Sequence, residues 1–458
     1  MTHLPQSRKP LFVRLIPAAC AIALATASAL ASAQSLRELY EAARAYDATY
    51  LAARALADSA QFRAAQADAL NRPSVNLTAG ASRTDTDGPF VLNQGQPIPG
   101  SGGYRSSNRV EGAVNATQPL YNRTNDAVIS QAQRGLEVSM ADLEAAEQDL
   151  IVRVALAYFD VLASEDSLAT AQAGKKAIAE QLASAKRNFE VGTATITDTR
   201  ETQARFDLAT AQEIAADNDL RTKRIALDQL IGRSGVAPKR LAPAVTLPVP
   251  APDDVNQWVT TAETEHPQVR KAQLALEIAR LETERARASE GLTLDLVGRA
   301  GGDRTVGSLT SQPGNTTNTL IGLQLRMPLY TGGSTQNRIK ETLSLEEKAR
   351  NDLDAARRGV AQSTRVAFFN VRSGQAQVRA LEAAESSSNL ALEATQLGYK
   401  VGVRVNLDVL NAQTQVYQTQ RDLSRSRYDV LVAGLRLRQS SGQLRAEHVN
   451  AFSELLEK

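Results

Sequence analysis

Two very long stretches of the chain carry apolar residues at three- and four-residue spacing, as in the seam of a coiled coil. The first runs over about 124–189 and includes Leu143, Leu150 and Val154, and the second runs over about 334–399. Neither stretch contains a proline, so each predicts one helix of about 66 residues, which is about 100 Å long. Such helices bury little surface alone, and we expect them to pack against neighbouring helices.

Four shorter stretches alternate between apolar and polar residues with a period of two, which is typical of strands with one apolar and one polar face. They begin at Val75, Val110, Leu292 and Ile321. Each predicts a strand of roughly 10 residues, the length that crosses a bilayer when tilted. Glu111, Gln324 and Arg326 would then face a wet lumen. The glycine-rich segments between the strands, about 84–107 and 302–318, fit cell-surface loops, and two soluble hairpins on a helical body are the alternative.

The chain repeats itself once, at a spacing of 209 or 210 residues. The matching segments are Pro119-Leu-Tyr121 with Pro328-Leu-Tyr330, Ala157-Tyr-Phe159 with Ala367-Phe-Phe369, and Phe189 to Asp198 with Tyr399 to Asp408. This period is too long for a solenoid, so the pattern indicates two duplicated halves.

The repeat predicts the domain organisation. The predicted segments are a signal peptide (1–33), a first repeat (34–232), a proline-rich linker (233–254), a second repeat (255–442) and a C-terminal tail (443–458). Each repeat contains a helical run, a β-hairpin, the long helix and a last helix. The helical runs are predicted over about 36–70 and 255–289, the hairpins over about 74–121 and 292–330, and the last helices over about 197–231 and 407–439.

The N-terminus carries the features of a secretory signal peptide. Arg8, Lys9 and Arg14 precede an apolar stretch, and Ala31-Ser-Ala33 forms an A-x-A cleavage site. A buried N-terminal helix is the alternative. Cys20, the only cysteine, lies within the apolar stretch and would be the lipid-bearing residue of a lipoprotein, but Pro17 stands where a bulky aliphatic residue is normal. The mature chain then has no cysteine and no disulfide.

Composition and charge narrow the classes of function. Removal of the signal peptide takes Lys plus Arg from 52 to 49 while Asp plus Glu stays at 50, so the mature chain has a net charge of −1. A nucleic-acid partner is therefore not indicated. A mean hydropathy of −0.28 without a second long apolar run argues against a polytopic helical membrane protein.

Signals for an enzyme or a cofactor are weak. The mature chain has two histidines, His266 and His448, which are far apart and lack the spacing of a metal site. His266 precedes Pro267 at a helix start, where we expect it to be exposed. Phosphate-binding and nucleophile motifs are missing from the sequence. We therefore expect neither enzymatic activity nor a cofactor nor a metal.

Closure of the predicted sheet indicates an oligomer. Four strands cannot close a membrane barrel, and lipid does not tolerate an open sheet edge. Two chains would give eight strands, a barrel that side chains fill, whereas three chains would give twelve strands and a lumen wide enough for water. A ring of three chains is the favoured assembly, and it would also gather the long helices into a tube.

The ordered set of motifs resembles the TolC family of outer-membrane channel-tunnel proteins over essentially the whole mature chain. The resemblance implies a mainly helical homotrimer with a twelve-stranded barrel in outer-membrane lipid and an α-helical barrel projecting through the periplasm. It also implies an exit duct for type I protein secretion or multidrug efflux, which opens when a periplasmic adaptor and an inner-membrane ABC or RND-type pump dock. A periplasmic coiled-coil structural or adaptor protein without a pore is the alternative.

The resemblance also implies a gate at the periplasmic end. Family members carry two acids three residues apart that face the pore; Asp408 matches the first, and Asn411 replaces the second. Residues at i and i+3 share one helix face, so both would line the constriction. The implied gate-link residues are Tyr399 and Arg404, with Gln181, Thr197 and Asp198 as partners. With only one acid, we expect weaker cation selectivity than a double acid ring provides.

Two Val-Gly turns connect the long helix of each repeat to its last helix. Their residues are Val191, Gly192 and Thr193 in the first repeat and Val401, Gly402 and Val403 in the second. Glycine accepts the left-handed conformation that ends a helix, so capping alone explains both glycines. The resemblance implies that these tips also dock the adaptor through their exposed valines.

Overall fold

The computed structural model describes residues 34–89, 92–97, 102–241, 249–307 and 314–453. The predicted signal peptide lies outside these residues, as do parts of the predicted surface loops, linker and C-terminal tail. Within the described part of the chain, no helix is both long and apolar enough to span a membrane.

The described ranges contain nine α-helices, one short 3-10 helix (Ala69–Asn71) and six strands. The helices are α1 (Leu36–Tyr46), α2 (Ala48–Asp68), α3 (Arg123–Glu190), α4 (Ile196–Ile231), α5 (Val255–Glu265), α6 (Pro267–Ala288), α7 (Ser334–Lys400), α8 (Asn406–Ser440) and α9 (Ala446–Ser453). The strands are β1 (Ser74–Gly88), β2 (Leu92–Asn93), β3 (Gln96–Pro97), β4 (Gly103–Tyr121), β5 (Thr293–Gly307) and β6 (Gly314–Arg326). The two very long predicted helices are α3 and α7.

The four predicted strands form one antiparallel sheet in the order β1-β4-β5-β6. Strand β4 of the first repeat pairs with strand β5 of the second, with Glu111 opposite Asp303 and Val114 opposite Ala300. The strands contain 15, 19, 15 and 13 residues, so the predicted length of roughly 10 was wrong. Backbone pairing continues into polar, glycine-rich sequence beyond the alternating stretches, because the ladder of hydrogen bonds does not require apolar side chains.

The two Pro-Leu-Tyr segments occupy different positions, although the sequence predicts the same role for both. Pro119 and Tyr121 lie inside β4, where the register of the β4–β5 pairing shifts between them. Proline has no N–H to donate to the ladder, which is the physical reason for the irregularity. Pro328 and Tyr330 lie beyond the end of β6, in the segment that leads to α7.

Both predicted first helical runs are interrupted. Asp47 separates α1 from α2 and caps α2 by accepting a hydrogen bond from the backbone N–H of Tyr50 at 2.8 Å. His266 separates α5 from α6, and its Nδ1 accepts a hydrogen bond from the backbone N–H of Gln268. His266 is half-buried rather than simply exposed, and burial lowers its pKa. Pro267 occupies the first position of α6. A backbone N–H there has no partner within the helix, so the lack of an N–H in proline costs no hydrogen bond.

The main hydrophobic core surrounds the middle of α3. Tyr158 and Phe159 are almost fully buried there, and the Phe159 ring stacks on Tyr428 of α8 at a centroid distance of 5.9 Å. The Tyr158 hydroxyl donates to the carbonyl oxygen of Lys239 at 2.8 Å, which fixes the start of the linker to the core. The other core residues include Leu36, Leu39, Leu150, Ile151, Leu162, Leu227, Ile231, Leu431 and Leu435.

The turn between α3 and α4 and the turn between α7 and α8 have the same backbone conformation. We call each of these helix pairs a helical hairpin and its turn the tip. Gly192 and Gly402 have φ values of 78° and 80°, in the left-handed region that favours glycine. The N–H of Thr193 donates to the carbonyl of Asn188 at 2.8 Å, and the equivalent bond from Val403 to Gly398 is 2.9 Å long. These bonds satisfy the last carbonyls of α3 and α7.

We expect Asp47→Asn to lower the free energy of unfolding by about 2 kcal/mol, because Asp47 is nearly buried and forms a bidentate pair with Arg153 at 2.9 and 3.0 Å. Hydrogen bonds from Arg153 hold the pKa of Asp47 below its usual value. Its contribution is therefore present above that value and is lost as pH falls through the lowered pKa. Thermal melting of the two proteins should differ at neutral pH and converge below about pH 4.

Asp149→Asn is the matched control. Asp149 pairs with the same Arg153 at 2.7 Å, but its side chain is 54% exposed, so we expect a change below about 0.5 kcal/mol. Equal destabilisation by both substitutions would contradict the assignment of Asp47 as the structural partner.

Candidate functional site at the hairpin tips

The predicted docking residues lie at the tips of the two helical hairpins, where their apolar side chains are highly exposed. Val191, Val401 and Val403 are 72%, 66% and 76% exposed. Gly192 and Thr193 are exposed as well. The predicted docking residues therefore form two short valine-bearing surfaces.

Asp198 and Asp408 occupy equivalent positions at the start of α4 and α8. The Asp198 carboxylate accepts hydrogen bonds from the N–H and the hydroxyl of Thr195, at 3.0 and 2.8 Å. The Asp408 carboxylate accepts a longer bond, 3.4 Å, from the N–H of Val405, which has no hydroxyl to add a second. Asp408 is therefore held less tightly than its counterpart and keeps acceptor capacity for other partners.

Four of the five predicted gate-link residues form no polar link between helices among the described residues of one chain. The Tyr399 hydroxyl and Thr197 have no side-chain hydrogen bond to the described residues. Arg404 forms only an ion pair with Asp408 of its own segment, at 3.8 Å, with its side chain 62% exposed. The Asp198 side chain caps its own helix.

Gln181 does form a link between helices, but its partner is a residue that the sequence analysis missed. Its Nε2 donates to Oδ1 of Asn406 at 2.7 Å, and Nδ2 of Asn406 donates to Oγ1 of Thr202 at 2.8 Å. Asn406 and Thr202 are 3% and 0% exposed. Asn406 thus connects α3, α4 and α8 inside the protein.

Asn411 has a cationic partner that the sequence analysis also missed. Nη2 of Arg205, on α4, donates to Oδ1 of Asn411 at 2.8 Å. Arg205 lies seven residues after Asp198, so two helical turns bring it to the same side of α4. That spacing was the only signal in the sequence. The position where the resemblance implies a second acid is therefore occupied by an amide bound to a guanidinium.

The buried face of α8 changes character along its length. Near the tip the polar residues Asn406, Gln413 and Thr419 are buried among the apolar Val409, Leu410 and Val416, and farther from the tip the face is mostly apolar, as at Leu431 and Leu435. Oε1 of Gln413 is buried and has no hydrogen-bond partner among the described residues. The contact between the hairpins is therefore mixed near the tip and mostly apolar towards the core.

An acidic group marks the boundary between these two regions. The carboxylate of Asp166, on α3, accepts hydrogen bonds from the hydroxyls of Ser424 and Tyr428 of α8, the latter at 2.9 Å. Burial and the neighbouring Asp166 raise the pKa of Tyr428, so this hydroxyl stays protonated and donates.

The described residues hold no cluster of three or more His, Cys, Asp or Glu side chains that could bind a metal ion. The groups gathered at the tips are amides, two carboxylates and guanidinium groups. Such groups can join or release neighbouring helices and can set the local charge.

Comparisons with known proteins agree on the family. A family model described as outer membrane efflux protein matches residues 39–233 and 258–443. Outer membrane protein TolC of Vibrio cholerae is 33% identical over 451 residues, which cover 95% of this chain and 97% of that protein. The alkaline protease secretion protein AprF of Pseudomonas aeruginosa is 35% identical over 309 residues, which cover 65% of this chain and 62% of that protein.

Solved structures share the fold. The outer membrane protein VceC of Vibrio cholerae matches with a TM-score of 0.72 at 19% identity, over 89% of this chain and 96% of that one. The MtrE outer membrane channel of Neisseria gonorrhoeae, in its open state, matches with a TM-score of 0.69 at 21% identity. These relatives are described as channel, efflux and secretion proteins rather than enzymes. The chain therefore belongs to the outer membrane efflux protein family, the TolC family, and is an outer-membrane protein with a large periplasmic helical part.

Proposed function

We propose that this protein is a trimeric exit duct of the outer membrane, serving type I protein secretion or multidrug efflux. The observation that carries the proposal is the four-stranded sheet, whose outer strands β1 and β6 each have one edge without a partner strand in the described chain. An open edge is not stable in lipid, so neighbouring copies must pair with both edges. Three copies give a closed barrel of twelve strands with a wet lumen.

The side chains on the two faces of the sheet fit a barrel with lipid on its outside and water on its inside. Leu77, Ile321 and Leu323 are 77%, 81% and 66% exposed, which is unusual for large apolar side chains in water. On the opposite face, Nη2 of Arg109 lies 3.2 Å from the Glu111 carboxylate and 3.5 Å from the Asp303 carboxylate. This face is charged and suits an aqueous lumen. The exposed apolar face disfavours the alternative of a periplasmic coiled-coil adaptor without a pore.

We assign the two repeats to 34–232 and 255–442, with the linker at 233–254 between them. The helical hairpins of three chains would form the periplasmic tube. Its tips would dock a periplasmic adaptor through Val191, Val401 and Val403, and the adaptor would join the duct to an inner-membrane ABC or RND-type pump. The cargo is then chosen by the pump and the adaptor.

At the constriction, we place one acid and one guanidinium per chain. Asp408 would face the axis of the trimer, and Arg205 is held at Asn411 by its 2.8 Å hydrogen bond. Two like charges about 8 Å apart in water repel by roughly 0.5 kcal/mol. Three carboxylates therefore bias the pore towards cations without holding it shut, and Arg205 reduces this bias further than the loss of the second acid alone.

Single-channel recording of the purified mature protein in a planar bilayer tests the proposal. Stable, low conductance with a modest preference for cations is the expected result. Failure to insert, together with release from the outer membrane by a high-salt wash, would favour the coiled-coil adaptor instead. Adaptor cross-linking that survives charge reversal around both tips would argue against the docking surfaces.

We expect the double substitution Arg404→Ser with Tyr399→Phe to raise the conductance several-fold. Both side chains lack links to other helices within one chain, so their partners in the gate would come from neighbouring chains, at about 1 kcal/mol for each link. Arg425→Ser is the control, because Arg425 also lies on the second hairpin, is 80% exposed and pairs only with Asp429 of its own helix. Equal conductance of both variants and the parent would count against these gate links.

We expect Arg205→Gln to raise the ratio of cation to anion permeability about twofold, and Asp408→Asn to lower it, because the substitutions remove opposite charges from the constriction. Reversal potentials in a salt gradient measure the ratio. Arg221→Gln, on α4 and paired among the described residues only with Asp217, should leave it unchanged. A ratio that does not rise with Arg205→Gln would place Arg205 away from the pore.

A further inference from the structure

We propose that Asn406 is a latch within each protomer that controls how readily the tip of the α7/α8 hairpin separates from the α3/α4 hairpin. This inference rests on the proposed function, because it concerns the opening of the same duct. Asn406 and Thr202 are not among the predicted gate-link residues, although Gln181 is. Both bonds of Asn406 lie inside one chain, and the bond to Thr202 is buried while the bond to Gln181 is partly buried.

The geometry of Asn406 is that of a connector between three helices. Its amide uses one acceptor and one donor, binding Nε2 of Gln181 at 2.7 Å and Oγ1 of Thr202 at 2.8 Å. Thr202 in turn donates to the carbonyl of Asp198 at 2.7 Å, next to the tip of the first hairpin. Asn406 is also the first residue of α8, so a shift of this helix breaks both of its bonds at once.

Asn411 adds a second contact of the same kind one and a half turns along α8. Its Oδ1 accepts from Nη2 of Arg205 at 2.8 Å, and the Asn411 side chain is exposed. An exposed bond is exchanged for water at little cost, whereas the buried bonds of Asn406 leave polar groups without partners until water enters. Asn406 is therefore the stronger of the two contacts.

The buried face of α8 limits how far the separation extends. From Asn406 to Thr419 this face holds three buried polar side chains beside the apolar Val409, Leu410 and Val416, and the polar groups released from it can bind water in the open lumen. From Leu423 onward it is mostly apolar, and the stacking of Phe159 on Tyr428 fixes it to the core. Separation confined to the mixed part exposes less apolar surface than separation of the whole helix, so the mostly apolar part acts as the fixed end of the movement.

Gln413 is expected to affect opening in the direction opposite to Asn406. Its buried Oε1 has no partner among the described residues while the hairpins are in contact, and it would gain a water when the tip separates. Gln413 therefore favours the open arrangement, while Asn406 favours the closed one. We call Asn406, Thr202, Gln181 and Gln413 the polar seam.

The experiment compares the ratio of open to closed time in single-channel recordings of the full mature trimer. Asn406→Leu removes two hydrogen bonds and should raise the ratio about tenfold, and Thr202→Val should raise it about threefold. The double variant should not exceed Asn406→Leu, because the two residues share one bond. Gln413→Leu should lower the ratio.

Gln418→Ala is the matched control. Gln418 is exposed on α8 and, among the described residues, bonds only to Asp422 and Arg421 of the same helix, so the substitution should leave the ratio of open to closed time unchanged.

A cysteine pair provides a reversible test of the same contact. The sequence has one cysteine, Cys20, which belongs to the predicted signal peptide, so Thr202→Cys with Asn406→Cys introduces the only two thiols of the mature chain. Oxidation should hold the pore at its lowest conductance, and reduction should release it above the parent level.

The outcomes separate the two proposals. A parent protein that forms no pore overturns the duct itself. A parent that gates normally, with Asn406→Leu indistinguishable from Gln418→Ala, overturns the latch alone. If Asn406→Leu does not assemble, Thr202→Val and Gln413→Leu decide the matter, and shifts of the same sign in both would also overturn the latch.

Discussion

The unpaired edges of the four-stranded sheet are the constraint on which the rest of the molecule depends. Within the described chain, strands β1 and β6 each leave one edge of backbone N–H and C=O groups unpaired, and in lipid each such group would cost several kcal/mol. In the proposed trimer, pairing with neighbouring copies would remove this cost. The same arrangement would place the hairpins of several chains side by side, because Asn122 caps α3 directly after β4 and so couples the direction of the helix to the sheet.

The long helices carry different types of side chain at different positions along their length. The middle of α3 lies in an apolar core with Tyr158 and Phe159, which packs the two repeats together. Near the tip, amides, hydroxyls and charged groups lie among buried apolar residues such as Leu182 and Leu410, and their polar contacts contribute about 1 kcal/mol each. A single helix thus joins a fixed region to a separable one, which suits a duct that must close without unfolding.

The sequence predicted the regular parts of this fold well, because they follow from local rules. The helix period marked α3 and α7, the two-residue alternation marked the four long strands, and Gly192 and Gly402 marked the tip turns. It missed the end residues of the strands, where pairing continues through polar sequence. It also missed the helix boundary at Asp47, which caps α2 by accepting from the N–H of Tyr50 and is held in place by Arg153, 106 residues away.

By itself the sequence determined the duplicated architecture, the long helices, the turn glycines and the family, because each is written in short-range periodicity or in ordered motifs. Only the tertiary structure decided which side chains meet. The repeat equates Phe159 with Phe369, yet the first is 2% exposed and the second 58%. Likewise Asn406 meets Thr202, 204 positions away, and Asn411 meets Arg205, 206 positions away. Such pairings depend on the relative rotation of whole helices, which no local pattern of residues specifies.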